Sequence, residues 1–224
     1  MKPEEVLKEL DEEDLRKNFN KYTVQAFQSL PVMDKPKILD IGCGSGIPTL
    51  ELARISGGEV VGLDIDDAKI KTLEKMIEKE GMDDQVQAMI GSMLDIKLPD
   101  ESFDIIWAEG VIRFIGFERA LNEWKRLLAP DGFIVIHDDR KEVNAKLELI
   151  TTCGYHLIEH FKLPDDAWWI EFYEPLETRL CELQEKYGDD PEVLKVLDKK
   201  RREVEDAKNN PKDYRSVFYI IQKK

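Results

Sequence analysis

Two spacings of apolar residues alternate along the chain. Short runs rich in Val, Ile and Phe (KILDIG, EVVGLDI, VQAMIG, FDIIWAE, GFIVIHDD, YHLIEHFKL and RSVFYIIQ) are separated by stretches in which apolar residues return every three or four positions. Short apolar runs predict strands, the longer period predicts helices, and their alternation predicts crossover connections. The expected class is α/β, with a mostly parallel, doubly wound sheet and helices on both faces. Asp66 or Asp67 caps a helix with Ile70, Leu73 and Ile77 on one face and Gly81 as its stop. Pro48 suits the first turn of an earlier helix that Gly57 and Gly58 close. A third, ERALNEWKRLL, ends at the turn APDGF, which feeds the next strand.

Two segments fall outside this alternation. Residues 1–30 read as one or two helices ahead of the first strand, and residues 165–210 as two more between the sixth and seventh. In the second segment Trp169, Phe172, Leu176, Leu180, Leu183 and Tyr187 form one helical stripe, read as packing surface. The charged stretch from Glu182 to Lys208 is read as a solvated helical face. The expected organisation is one domain over 1–224: N-terminal helices (1–30), an α/β core (36–163), a helical insertion (164–210) and a final strand (213–224).

Charge narrows the partners. Asp and Glu number 47 against 33 Lys and Arg, a formal net charge of -14, which repels nucleic-acid backbones and anionic lipid surfaces. Neither is expected as a partner. No run approaches the ~20 apolar residues of a membrane span, and the acidic N-terminus lacks a signal peptide's basic flank. Cys43, Cys153 and Cys181 form no CxxC pair and read as reduced thiols, so the expected location is cytoplasmic.

The stretch ILDIGCGSGIPTLELA places Gly42, Gly44 and Gly46 where the first strand hands over to a helix. Glycine permits a tight turn and a close ligand approach, and the helix end offers free N–H groups to a nucleotide-like ligand. Ile47 stands where a dinucleotide fingerprint needs its third glycine, and the GK[ST] ending of a phosphate loop is absent. What stands instead is D-x-G-x-G-x-G led by Asp40. Asp64, at the end of VVGLDID, is placed to accept hydrogen bonds from both hydroxyls of a ribose, with a plain turn former as the structural alternative.

These residues resemble the class I S-adenosylmethionine-dependent methyltransferases. ILDIGCGSG is similar to their glycine motif, VVGLDI to their ribose-binding strand, GSMLDIKLPDESFDIIWAEG to their adenine loop and fourth strand, and LLAPDGFIVI to the turn into their fifth. Within the family the chain most resembles the small-molecule branch typified by quinone-biosynthesis enzymes. The resemblance implies a Rossmann-like seven-stranded sheet with its last strand antiparallel, and S-adenosyl-L-methionine as cofactor. It also implies a cofactor site of Asp40, Gly42, Cys43, Gly44, Gly46, Asp64, Ile65, Ser92, Met93 and Ala108. Many relatives carry an acid where Ser92 stands, so its hydroxyl would contact the adenine amino group more weakly.

The implied reaction is in-line methyl transfer to a small organic acceptor, where orientation alone supplies roughly 7–11 kcal/mol. A cofactor-binding protein without transfer activity is the alternative. Because ligands of open α/β sheets bind beyond the strands' carboxyl ends, Glu109 and His137 are the catalytic candidates and Arg113 faces the acceptor. Glu109 could equally be a helix N-terminal charge or a contact for the cofactor amine, and His137 a core histidine. Glu109, Asp138 and Asp139 could together hold magnesium, as acids do in catechol-type relatives, but no metal is assigned. Tyr22 and Trp168 are the aromatic lid candidates toward the acceptor, and a homodimer is left open as the assembly.

Overall fold

The computed structural model describes residues 3–224. They contain seven strands: β1 (Lys37–Ile41), β2 (Glu59–Asp64), β3 (Val86–Ile90), β4 (Phe103–Glu109), β5 (Leu128–Asp139), β6 (Tyr155–Lys162) and β7 (Ser216–Lys223). All seven predicted runs are strands of one sheet, in the order β3-β2-β1-β4-β5-β7-β6. The first five run parallel, and β7 lies antiparallel between β5 and β6. The helices are α1 (Pro3–Lys8), α2 (Glu12–Lys17), α3 (Asn20–Gln28), α4 (Ile47–Ser56), α5 (Asp67–Glu80), α6 (Ile112–Ile115), α7 (Phe117–Trp124), α8 (Val143–Thr152), α9 (Glu174–Tyr187) and α10 (Pro191–Asn209).

Local chemistry sets the boundaries. Asp66 accepts from the backbone N–H groups of Ala68 and Lys69 to start α5, Ile70, Leu73 and Ile77 are its buried face, and Gly81 ends it in the left-handed region. Two expectations are corrected. Three short helices precede β1 rather than one or two, because Asp11 caps α2 from a left-handed conformation and the chain turns again at Asn18. The APDGF segment lies within β5 rather than before it. Leu128 pairs with Phe103 and Phe133 with Ile105, so the residues between them form an excursion in a continuing strand.

Contacts divide the chain into two compact units, the larger being Asn20–Lys162 with Ser216–Lys224. Its core joins Leu39, Ile106, Ala108, Ile134, Ile136 and Tyr219 of the sheet to Leu121 and Trp124 of α7 and Ile150 of α8. Each fully buried Leu or Ile contributes about 1.5–3 kcal/mol. The other unit comprises the chain up to Phe19 with Leu163–Arg215. There α9 buries Leu176, Leu180 and Leu183, α10 buries Val193, Leu197 and Val204, and Arg179 donates to the carbonyls of Leu10 and Asp11 and the Asp14 carboxylate. The segment expected as one set of N-terminal helices, 1–30, is thus shared between units at Phe19 and Asn20.

Candidate active site

Strands β1 to β5 are parallel neighbours, so their carboxyl ends lie along one edge of the sheet. Asp40, the glycine turn, Asp64, Ser92, Met93, Ala108, Glu109 and His137 all fall at that edge. The order reverses between β1 and β4, making this the crevice where an open α/β sheet takes ligands.

The glycines have unequal duties. A Cβ on Gly42 would meet Val111 Cγ1 at 2.3 Å, and one on Gly46 would meet Leu73 Cδ1 at 2.3 Å, so both are bare to admit the protein's own side chains. A Cβ on Gly44 would approach nothing nearer than Lys69 Cδ at 3.9 Å, so the open face of the turn is there. The Gly44 N–H donates to Asp64 Oδ2 at 2.8 Å, and the Asp66 N–H to Asp64 Oδ1 at 2.9 Å. Asp64 is therefore fixed against the glycine turn by backbone donors. Ile65, immediately after it, is 71 % exposed, and Ser92 is half-buried with its hydroxyl accepting from the Leu94 N–H.

Two carboxylates are enclosed nearby. Asp40 is buried, and Thr49 of α4 donates to its Oδ2 at 2.6 Å. Burial pushes its carboxyl up to about 7; the Thr49 hydrogen bond opposes the rise and the charges of Glu109 and Asp64 add to it. Glu109, whose side chain is 14 % exposed, is the opposite case. Its Oε1 accepts from Thr23 Oγ1 at 2.9 Å and Trp107 Nε1 at 2.7 Å, and its Oε2 lies 3.6 Å from His137 Nδ1. Burial raises the Glu109 carboxyl, but the hydrogen bond and charge of His137, with the Trp107 and Thr23 hydrogen bonds, outweigh it and hold it below its ordinary value. His137 is buried opposite Glu109 in the strand register and stacks on Phe218 at 4.3 Å. Burial also pushes the Cys43 thiol far up, so it is no nucleophile.

Lys146 of α8 donates to Asp138 at 2.7 Å and to Asp139 at 3.0 Å, while Glu109 is engaged as above. Among the described residues no three His, Cys, Asp or Glu are grouped to hold a metal ion. Arg113 is exposed on α6 with its guanidinium 4.7 Å from the Phe114 ring. Tyr22 is half-buried on α3, whose next residue, Thr23, reaches Glu109. Trp168 belongs to the other unit, where it packs on Phe19 at 4.5 Å under Arg16. Thr23, Thr49 and Trp107 were not among the sequence candidates. Trp107 was accessible to pattern reasoning, because residues two apart in a strand share a face with Glu109.

Residues 39–136 match the protein family described as "Methyltransferase domain". The chain is 32 % identical over 117 residues to methyltransferase GfsG of Streptomyces halstedii, which covers 52 % of this chain and 42 % of that protein. It is 32 % identical over 103 residues to the sterol 24-C-methyltransferase ERG6B of Gibberella zeae, which covers 46 % of this chain and 27 % of that protein. The chain thus spans less than half the length of these relatives. Its fold matches an S-adenosylmethionine-dependent methyltransferase from Geobacter sulfurreducens solved with S-adenosyl-L-homocysteine, with a TM-score of 0.72, 18 % identity and 91 % of each chain covered. Among the described residues no helix is long and apolar enough to cross a membrane.

Proposed function

We propose that this chain, whose residues 39–136 match a methyltransferase-domain family, is a class I S-adenosylmethionine-dependent methyltransferase that transfers a methyl group from S-adenosyl-L-methionine to a small organic acceptor by in-line displacement. The observation that carries the reading is the bond from Gly44 N–H to Asp64, which locks the open position of the glycine turn beside a strand-end carboxylate at the sheet's switch point.

The residues fit the cofactor. Each Asp64 oxygen accepts one backbone N–H and retains a lone pair, which suits the two hydroxyls of a ribose. Exposed Ile65 would offer an apolar face to adenine, with half-buried Ser92 and Met93 beside it, whereas Ala108 is fully buried in the core and has no surface to give the ring. Gly44 would meet the amino-acid end, on a turn that Gly42 and Gly46 shape around Val111 and Leu73 and that Asp40 and Cys43 underlie. When bound, the cofactor supplies an electrophilic methyl on a cationic sulfur.

The chain supplies a held anion and fixed orientation. A carboxylate kept below its ordinary pKa by three donors draws protons weakly, so Glu109 acts as counter-ion to a positive group rather than as general base. His137, stacked and buried, positions Glu109. Tyr22 and Arg113 are proposed to face the acceptor. Turnover tests the reading: the purified chain is incubated with S-adenosyl-L-methionine and a panel of phenols, amines, thiols and activated carbon acids. Acceptor-dependent release of S-adenosyl-L-homocysteine is expected. Tight binding of the homocysteine product with no turnover on any panel member would make this a cofactor-binding protein instead.

A further inference from the structure

A π-helical turn, Trp169–Tyr173, leads into α9. Such turns are rare, cost helix stability and concentrate at functional sites. This one borders a cavity of about 570 Å³ whose lining includes Trp168, Trp169, Tyr173, Lys208, Tyr214 and Arg215, together with Asp165 and Asp166. The volume lies within the roughly 300–1,000 Å³ of small-molecule sites. Every lining residue lies outside residues 39–136 and within the unit that comprises Leu163–Arg215.

The lining chemistry restricts the occupant. Tyr173 and Tyr214 meet edge to face at 5.1 Å, and the Tyr214 hydroxyl is already held, donating to Asp206 at 2.7 Å. Arg215 gives Nη2 to Asp165 at 2.6 Å, while its Nε is buried with no acceptor among the described residues. A buried donor without a partner is costly, and an acceptor oxygen from a ligand relieves it. A cationic occupant is disfavoured, because Arg16 lies 4.6 Å from the Trp168 ring and Lys208 lies 5.3 Å from the Trp169 ring, taking the electron-rich faces such a ligand would use. Lys208 is paired with Glu177 at 3.2 Å and Arg215 with Asp165, so the aromatic walls and the unmet Arg215 Nε–H are what call for a flat ligand carrying an acceptor oxygen.

We propose that this cavity binds a small planar aromatic carboxylate, its ring against Trp169 and Tyr214 and a carboxylate oxygen accepting from Arg215 Nε. Calorimetric titration of the full chain with 1-naphthoate, cyclohexanecarboxylate and naphthalene-1-carboxamide tests it, alongside Arg215→Gln, Arg215→Lys and Trp169→Leu variants checked for folding by circular dichroism. Arg215→Lys keeps a cation for Asp165 and removes the Nε donor, so it reports on the proposal even where Arg215→Gln fails to fold. Saturable naphthoate binding is expected, about tenfold weaker in the Arg215→Lys and Trp169→Leu proteins and about tenfold weaker for the two control ligands. Absence of naphthoate binding, equal binding of naphthoate and cyclohexanecarboxylate, or unchanged affinity in the Arg215→Lys protein overturns the proposal.

Discussion

Asp40 and Glu109 show how placement within a few residues of one edge sends two carboxyls in opposite directions. Asp40 has one hydroxyl donor and two like charges nearby; Glu109 has three donors. An unfolded Asp ionises near ~3.9, while folded Asp40 holds its proton up to about 7. Between those values the folded state binds the extra proton, so its stability falls as pH rises and the loss is complete above about 7. At about 1.4 kcal/mol per pH unit, the span from about pH 5.5 to 8 removes about 2 kcal/mol. Asp40→Asn keeps an acceptor for Thr49 and abolishes this titration. Thermal unfolding of both proteins across that range should therefore show the Asn variant gaining on the wild type as pH rises. A constant gap between the two would mean that Asp40 ionises as it does in the unfolded chain.

The glycine turn makes the corresponding case at the level of elements. The strands and the helices around it follow from period and capping chemistry, which is why Asp66, Gly57 and Gly81 sit at the boundaries expected of them. The turn's internal division of labour was not legible, because Leu73 and Val111, which occupy the space over Gly46 and Gly42, are remote in sequence. The same holds for Thr23. Nothing in NKYTVQAFQ marks it, and its partner Glu109 lies 86 residues away, whereas neighbouring Tyr22 stands out by its aromatic ring. Spacings of three and four residues along the Trp169 stripe likewise do not reveal a π turn. The division of labour predicts different outcomes for one substitution. Gly44→Ala meets only the end of Lys69 and costs about 1 kcal/mol for its left-handed backbone, yet crowds the ligand face. Gly46→Ala drives a methyl into buried Leu73 from a φ of +89°, and overpacking with backbone strain costs about 3 kcal/mol. Calorimetry should show Gly44→Ala close to wild-type Tm with at least tenfold weaker S-adenosyl-L-homocysteine binding, and Gly46→Ala with a much lower Tm. Equal melting of the two variants would refute the distinction.

At the scale of the whole molecule, the sheet order converts distant segments into one surface. Residues 40–46, 64–66, 91–94 and 108–110 are separate in sequence, but each follows or ends one of four adjacent parallel strands and so reaches the same edge. That convergence was legible, since alternating strands and helices imply parallel neighbours whose carboxyl ends coincide. The division into two units was not, because one of them is assembled from the chain before Asn20 and the stretch between β6 and β7, and no composition change marks the break at Phe19. Convergence carries a direct expectation for hydrogen exchange. A ligand present at about 100 times its Kd stabilises the folded state by about 2.7 kcal/mol, and amides whose exchange requires opening of the contacting loops slow accordingly. S-Adenosyl-L-homocysteine should therefore slow exchange in these four segments together, including the Gly44 amide that donates to Asp64. Protection in only one segment would show that the four loops do not form a single binding surface, and protection confined to β6 and β7 would place the cofactor at the other side of the sheet order.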